Sequence, residues 1–434
     1  MPTMSRWTPK QFAHAAPDAA SLTAARRLAR PGPWTETGSN ETLLWGKCQG
    51  SGKTPYQVSV DLVRPAYRCS CPSRKFPCKH ALALLLLWSQ SDGAIADVAE
   101  AAGFASEWAV QARATAEKRA SGRKPPDPAA QAKRIEDRLA RMSSGIEEFE
   151  LWLSDLVRTG AAAARHQRYS WWDTTAGRLV DAQLPGLAEM VRTMGSEIHR
   201  RDDWAGHLLE MVGLWWTATR AWRRRDTLDA ATQGDLRAFL GWSWATDDVR
   251  AAGTTTGTWH VLGAHRTDDG RLQQQRTWVW APETGETAQL LDFAARGAAL
   301  PVGQLAGTQL TAEVAFYPGH DPRRLIFASS PQAIAWTDRL PPGATLDAAL
   351  DLRAAALAEN PCVRRIPVVV ADARLTPTHV VDASGIGLPL TADTDPWLGL
   401  AVTGSHPTVV FGEIEDQSFR PLTVAVGGDR LVSL

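Results

Sequence analysis

Arg68-Cys69-Ser70-Cys71-Pro72-Ser73-Arg74-Lys75-Phe76-Pro77-Cys78-Lys79-His80 runs directly into Ala81-Leu82-Ala83-Leu84-Leu85-Leu86-Leu87-Trp88. Three of the chain's five cysteines and one of its ten histidines lie in this stretch, spaced Cys-x-Cys, six residues, Cys-x-His. Three thiols and an imidazole crowded together in this way form the donor set of a closed tetrahedral zinc site. Such a site keeps no coordination position for a substrate, so it should organise the chain rather than perform a reaction. The expected ligands are Cys69, Cys71, Cys78 and His80, around one structural zinc ion.

Each ligand can be placed from its neighbours. Val58, Val60 and Leu62 mark an alternating strand that leads towards Arg68, and residues two apart on an extended chain share a face. Cys69 and Cys71 can therefore converge from a strand end. Residues two apart on a helix point to nearly opposite sides, so Cys78 and His80 cannot both lie in mid-helix. Cys78 is expected at a helix N-terminus, where the dipole favours a thiolate, and His80 in the first turn. Pro72 and Pro77 stiffen the loop between the ligand pairs. Disulfides would need an oxidising compartment, and Cys-x-Cys neighbours are poorly placed to bridge one another.

Upstream, Thr42 to Cys48 and Tyr56 to Val63 read as a hairpin around a glycine-rich turn. That turn, Gly50-Ser51-Gly52-Lys53-Thr54, imitates the end of a phosphate-binding loop. Lys47 stands where the full pattern needs glycine, and Pro55 with strand-like residues follows where a helix should begin. It is read as a turn. Downstream, the helix from His80 to Trp88 is apolar nearly all round and so is expected to be buried, between the hairpin and the helices that follow it.

Trp45-Gly46-Lys47-Cys48-Gln49-Gly50-Ser51-Gly52, Pro55-Tyr56, and Cys69-Ser70-Cys71-Pro72-Ser73 through Cys78-Lys79-His80-Ala81-Leu82 together resemble the SWIM-type zinc finger in its bacterial form. The resemblance spans Thr42 to Ser89, and the rest of the chain is similar to the long C-terminal portion of bacterial SWIM-finger proteins. It implies zinc binding by the same four residues. It also implies interaction with protein or nucleic acid, because SWIM fingers occur beside transposases, helicase-type ATPases and ubiquitin-pathway proteins. The bacterial forms tend to be encoded beside AAA-type ATPases and von Willebrand A-type proteins, so a protein partner in an ATPase-containing assembly is one expectation.

Lysine plus arginine equals aspartate plus glutamate at 47 each over 434 residues, so global charge does not favour nucleic acid. The finger departs from that balance. Between Thr42 and Gln90 the cations are Lys47, Lys53, Arg64, Arg68, Arg74, Lys75 and Lys79, against the single carboxylate of Asp61. Arg68, Arg74, Lys75 and Lys79 border the ligands and are the candidate contacts for a phosphate backbone or a partner. The competing reading is that they neutralise a three-thiolate zinc centre, which carries a net negative charge.

The remainder is read in domains. Residues 1–118 form an N-terminal region holding the finger at 42–90, with a helix over 19–29 capped by Asp18. Residues 91–118 read as alanine-rich helix. A glycine-, proline- and charge-rich linker covers 119–129. Residues 130–250 read as an α-helical domain. In it Ile135, Leu139, Met142, Ile146, Phe149, Leu153 and Leu156 recur at steps of four and three, a seam broken by Ser143-Ser144-Gly145. Trp152, Trp171, Trp172, Trp204, Trp215, Trp216 and Trp222 are read as core, and Arg220, Arg223, Arg224 and Arg225 as a helix end that complements the dipole. Residues 251–434 change period to alternation. They read as a largely antiparallel β domain, with helices inserted near Ala288–Arg296 and Leu346–Leu357 and a hairpin at Asp268-Asp269-Gly270.

The expected fold class is therefore α+β: a ββα-like finger packed on helices, an α-helical middle and a β-rich C-terminal domain. Cys48 and Cys362 remain as free thiols, which suits a reducing cytoplasm. The first residues lack the apolar core of a secretory leader, and Ala81–Trp88 is too short to span a bilayer, so no membrane association is expected. No Ser/His/Asp set or carboxylate pair can be assembled from the sequence. A non-enzymatic adaptor is the leading reading, and a sequence-indifferent nucleic-acid-binding protein is the alternative.

Overall fold

The computed structural model describes residues 19–50, 54–62, 66–71, 73, 77–90, 94–111, 128–268, 272–295, 300, 304–427 and 430–434. By its contacts the chain divides into two units: Met1–Pro125 with Gly263–Thr277 and Leu290–Ala306, and Pro126–Leu262 with Trp278–Gln289 and Gly307–Leu434. The class is mixed α+β.

In the first unit, helix α1 (Ala19–Leu28) precedes an antiparallel sheet of β1 (Trp34–Ser39), β2 (Leu43–Cys48), β3 (Tyr56–Asp61) and β4 (Ala66–Cys69), ordered as in sequence. Helix α2 (Lys79–Ser89) follows. Strand β2 is buried on both faces apart from Lys47. Leu44 and Cys48 join the core beneath α2, while Leu43 and Trp45 meet Ala105 and Ala109 from a helix that begins at 103. This two-sided burial explains why Leu43-Leu44-Trp45 is continuously apolar rather than alternating.

Helix α2 is buried from His80 to Leu85 and again at Leu87 and Trp88. Its packing differs from the sequence expectation in one respect. The cover opposite the sheet is the preceding helix α1, through Leu22, Ala25 and Leu28. The residues that follow are not helical at 94–98 and form a single bridge from Asp97 to Ser39. Ser39 N–H donates to the Ala96 carbonyl at 2.9 Å and Val98 N–H to that of Ser39 at 2.9 Å. The 91–118 helix is thus present only from 103 within the described residues, and the 119–129 linker lies outside them up to 127.

The second unit opens with α3 (Pro128–Thr159), α4 (Ala161–His166), α5 (Tyr169–Asp181), α6 (Pro185–Glu197), α7 (Trp204–Arg223), α8 (Ala230–Leu240) and α9 (Thr246–Ala251). The α3 seam is core at Met142, Ile146, Phe149, Leu153 and Leu156 and half-buried at Leu139, while Ile135 is exposed. Gly145 is no defect in that seam. A Cβ there would stand 2.2 Å from Ala182 Cβ, so glycine lets α3 approach the end of α5. Trp172, Trp215 and Trp222 are buried, whereas Trp216, expected in the core, is 42 % exposed because it lies on the outer side of its helix next to the buried Trp215. Trp152 stacks on Phe149 at 5.4 Å and meets Trp171 and Trp172 at 4.9 and 5.8 Å. Apart from Trp216, these tryptophans fill the bundle instead of offering faces for bases.

Further along the chain come β5 (Thr255–Asp268), β6 (Leu272–Trp280), β7 (Thr287–Ala295), β8 (Thr308–Phe316), β9 (Arg324–Phe327) and β10 (Gln332–Trp336), in sheet order β10-β8-β5-β6-β7-β9; the parts of β5, β6 and β7 within 263–277 and 290–306 are counted to the first unit. A second sheet holds β11 (Arg365–Leu375), β12 (His379–Val381), β13 (Gly387–Pro389), β14 (Thr408–Glu415), β15 (Ser418–Val426) and β16 (Arg430–Ser433), ordered β13-β12-β11-β14-β15-β16. Helices α10 (Leu346–Glu359) and α11 (Pro396–Thr403) are inserted. The helix expected over 288–296 is instead β7, with Ala288, Leu290 and Ala294 turned inward at even spacing. The turn at Asp269-Gly270 lies outside the described residues. Among the described residues no helix is long and apolar enough to cross a membrane.

Candidate metal centre

The site is assembled from a strand end and a helix start. Cys69 closes β4 opposite Val58 on β3. The next residue, Ser70, is clamped twice to Gln57: its N–H donates to the Gln57 carbonyl at 3.0 Å, and its Oγ accepts from the Gln57 N–H at 2.9 Å. This clamp fixes the backbone between the two cysteines and holds both thiols on one side. Cys78 is the N-cap of α2 in an extended conformation, and its carbonyl accepts the Leu82 N–H at 3.1 Å. His80 follows in the first turn and is 5 % exposed.

The ligand atoms of Cys69, Cys71, Cys78 and His80 all lie within 4.8 Å of one another. His80 Nδ1 is 3.7 Å from Cys69 Sγ and 4.0 Å from Cys78 Sγ. Sulfurs about 2.3 Å and a nitrogen about 2.0 Å from one tetrahedral ion stand about 3.5 to 3.8 Å apart. The cluster therefore fits one zinc ion. Tyr56 lays its ring 4.9 Å from the imidazole and so braces it. Gly50 makes room for that ring, since a Cβ there would come within 2.4 Å of it.

The electrostatics favour a cation. Cys78 is drawn down to about 4, chiefly because the Cys69 thiol donates to its sulfur, with help from His80 and the Ala81 amide against the opposing effect of burial. Cys69 is pushed up by the same shared proton and by burial, and Cys71 by burial. The bare cluster thus already concentrates one thiolate at a helix start, and a divalent ion would displace the remaining thiol protons. The other two cysteines are unlike these. Burial pushes Cys48 up to about 11 and Cys362 up to about 12, which makes both poor donors.

Of the candidate contact residues, Arg68 and Lys79 are exposed beside the donor set, and Arg74 and Lys75 lie outside the described residues. Lys47 is engaged within the fold: its Nζ sits 2.7 Å from Glu36 and over the Phe104 ring. Sequence reasoning did not reach the Ser70 clamp or the Tyr56 brace. The strand pairing that creates both, Cys48 with Tyr56 and Val58 with Cys69, is visible only in the register.

A closed donor set of three thiols and one imidazole, built where a strand ends and a helix begins, defines a zinc-finger protein. More particularly, residues 56–88 match the SWIM zinc finger family and residues 137–240 the SWIM-associated four-helix bundle domain, so the chain carries that finger together with its associated bundle. The first match runs from β3 into α2, and the second from within α3 to the end of α8. No curated protein and no solved structure matches the chain.

Proposed function

We propose that this chain is a non-enzymatic adaptor of the cytoplasm, in which Cys69, Cys71, Cys78 and His80 hold one structural zinc and the finger region engages a protein partner. The observation that carries this reading is the convergence of four protein donors within 4.8 Å. They would occupy every position of a tetrahedral ion and leave none for a substrate or an activated water. The ion's work would be mechanical: it ties the end of β4 to the start of α2, whose apolar body is the centre of the first unit's core. A partner belonging to an ATPase-containing assembly is the form of this proposal that the sequence resemblance favours.

A second reading rests on Arg68 and Lys79, which flank the donors and are exposed. With Arg74 and Lys75 they would follow a phosphate backbone without reading its sequence. The two readings respond differently to salt. Affinity capture at low and high salt, with and without nuclease, should retain the partner under all conditions if protein contact dominates. Retention that disappears with nuclease or salt, and in a variant with Arg68, Arg74, Lys75 and Lys79 all neutralised, would establish the nucleic-acid reading in its place.

A further inference from the structure

The bundle contains a cleft that the zinc centre does not involve. It measures about 410 Å3 and is lined by Ala162, Arg165, His166, His199 and Trp204. Arg165 and His166 close the short helix α4, His199 follows the end of α6, and Trp204 opens α7. The Arg165 guanidinium lies 4.7 Å from the centre of the Trp204 ring. That contact holds its planar fork against one wall, while both imidazoles are exposed. No acid lines the cleft. Of the carboxylates beside it in sequence, Asp203 takes two hydrogen bonds from Arg201 at 2.9 and 2.8 Å, Glu197 faces Arg201 and His207 at 3.9 and 3.7 Å, and Asp202 is exposed and does not line the cleft. Among the described residues no carboxylate pairs with Arg165, His166 or His199.

Three side chains able to carry positive charge thus border one concave space with no internal counter-ion. Its volume falls in the range of small-molecule sites, about 300 to 1,000 Å3. A guanidinium pre-oriented by an aromatic ring suits the trigonal oxygens of a phosphate, and two imidazoles add donors that gain charge on protonation. The indole supplies an apolar wall beside them. We propose that this cleft binds a phosphate-bearing small molecule of nucleotide size, with the phosphate on Arg165, His166 and His199 and the organic part against Trp204.

The test is calorimetric titration of the full-length, zinc-loaded protein with AMP and with pyrophosphate in low-salt buffer near pH 6.5, with citrate as a carboxylate comparison. Saturable binding of AMP at one site per chain is expected, tighter than that of citrate. The affinity should fall by about tenfold in Arg165→Gln and in His199→Gln, the loss that follows from removing one charge-assisted hydrogen bond. Arg165→Lys should lose affinity too, because it keeps the charge and discards the fork. His199 is exposed, so His199→Gln should melt as the parent does and keep its zinc, which separates lost binding from lost folding. The proposal is overturned if AMP shows no saturation up to about 1 mM, or if both variants bind it as the parent does. It is equally overturned if a second zinc binds per chain and His199→Gln removes it, which would assign the two histidines to a metal.

Discussion

Helix α2 of the finger and helix α3 of the bundle both bury an apolar face, yet they are held in different ways. The face of α2 packs on a four-stranded sheet and α1, but its first turn is occupied by Cys78 and His80, polar groups that packing alone does not satisfy. From Leu139 onward the face of α3 packs on helices, with Phe149, Trp152, Trp172 and Trp215 interlocked and Gly145 permitting close approach. In the finger the two ligand pairs stand six residues apart in sequence, and an ion held by all four donors would tie the strand end to the helix start. The bundle has enough aromatic surface to do without one.

That contrast can be broken most sharply by removing the ion. Chelation, or Cys78→Ala, should release zinc and collapse protection across β3 to α2 in hydrogen exchange, since structural zinc in small fingers is worth about 10 kcal/mol or more. Exchange in α3 and α7 should not move. Equal loss of protection in both regions would show that the bundle depends on the metal as well. The converse experiment is Trp172→Ala, which should cost the bundle about 3 to 5 kcal/mol by calorimetry or denaturant titration. Zinc content, measured on the same sample, should remain at one per chain.

Gly145→Ala sharpens the packing side of the comparison. On an isolated helix this change stabilises by about 1 kcal/mol. Here the new methyl would collide with Ala182, so a loss of about 1 to 3 kcal/mol is expected from overpacking. A raised melting temperature would mean that α3 and α5 stand further apart than described.

The smallest effect concerns the one charged latch between α8 and the turn after β8, where His320 Nδ1 lies 2.6 Å from Asp235 and its backbone N–H also donates to that carboxylate. Asp235 holds the His320 imidazole above its ordinary value, while burial raises the Asp235 carboxyl in spite of the bonds from His320. A histidine raised in the folded state contributes fully below its unfolded value and loses that contribution as pH climbs through the folded one. The melting-temperature gap between the parent and His320→Asn should therefore be widest near pH 6 and narrow towards pH 8. A gap independent of pH would mean that the pair is not an ion pair.

Much of the architecture could be read from local pattern. The Cys-x-Cys…Cys-x-His spacing points to a zinc-type donor set because the four donors lie within a dozen residues, and the fold brings them together. The α3 seam was legible because one periodicity persists over several turns. Failures occurred where long-range pairing overrules local preference. Ala288-Gln289-Leu290-Leu291 is made of good helix formers, and only its place as β7 in a sheet makes the alternation of Ala288, Leu290 and Ala294 the deciding signal. Strand β1 went unseen because Glu36 takes φ 49° and the register slips between Thr35 and Gly38, which breaks its alternation. Gly38 itself leaves room for the Trp45 ring, 2.5 Å from where a Cβ would stand. The cleft at Arg165 draws on α4, α6 and α7, and no spacing rule joins residues so far apart.

The cover that α1 places over α2 has a practical corollary for anyone dissecting this molecule. A peptide trimmed to the recognisable motif, residues 56–88, would contain all four donors but not Leu22, Ala25, Trp34 or Leu44, which shield α2. Such a minimal fragment would chelate its ion while presenting a greasy, unshielded rod to solvent, and should self-associate. The smallest piece worth expressing therefore starts ahead of α1, well upstream of where motif boundaries would suggest cutting.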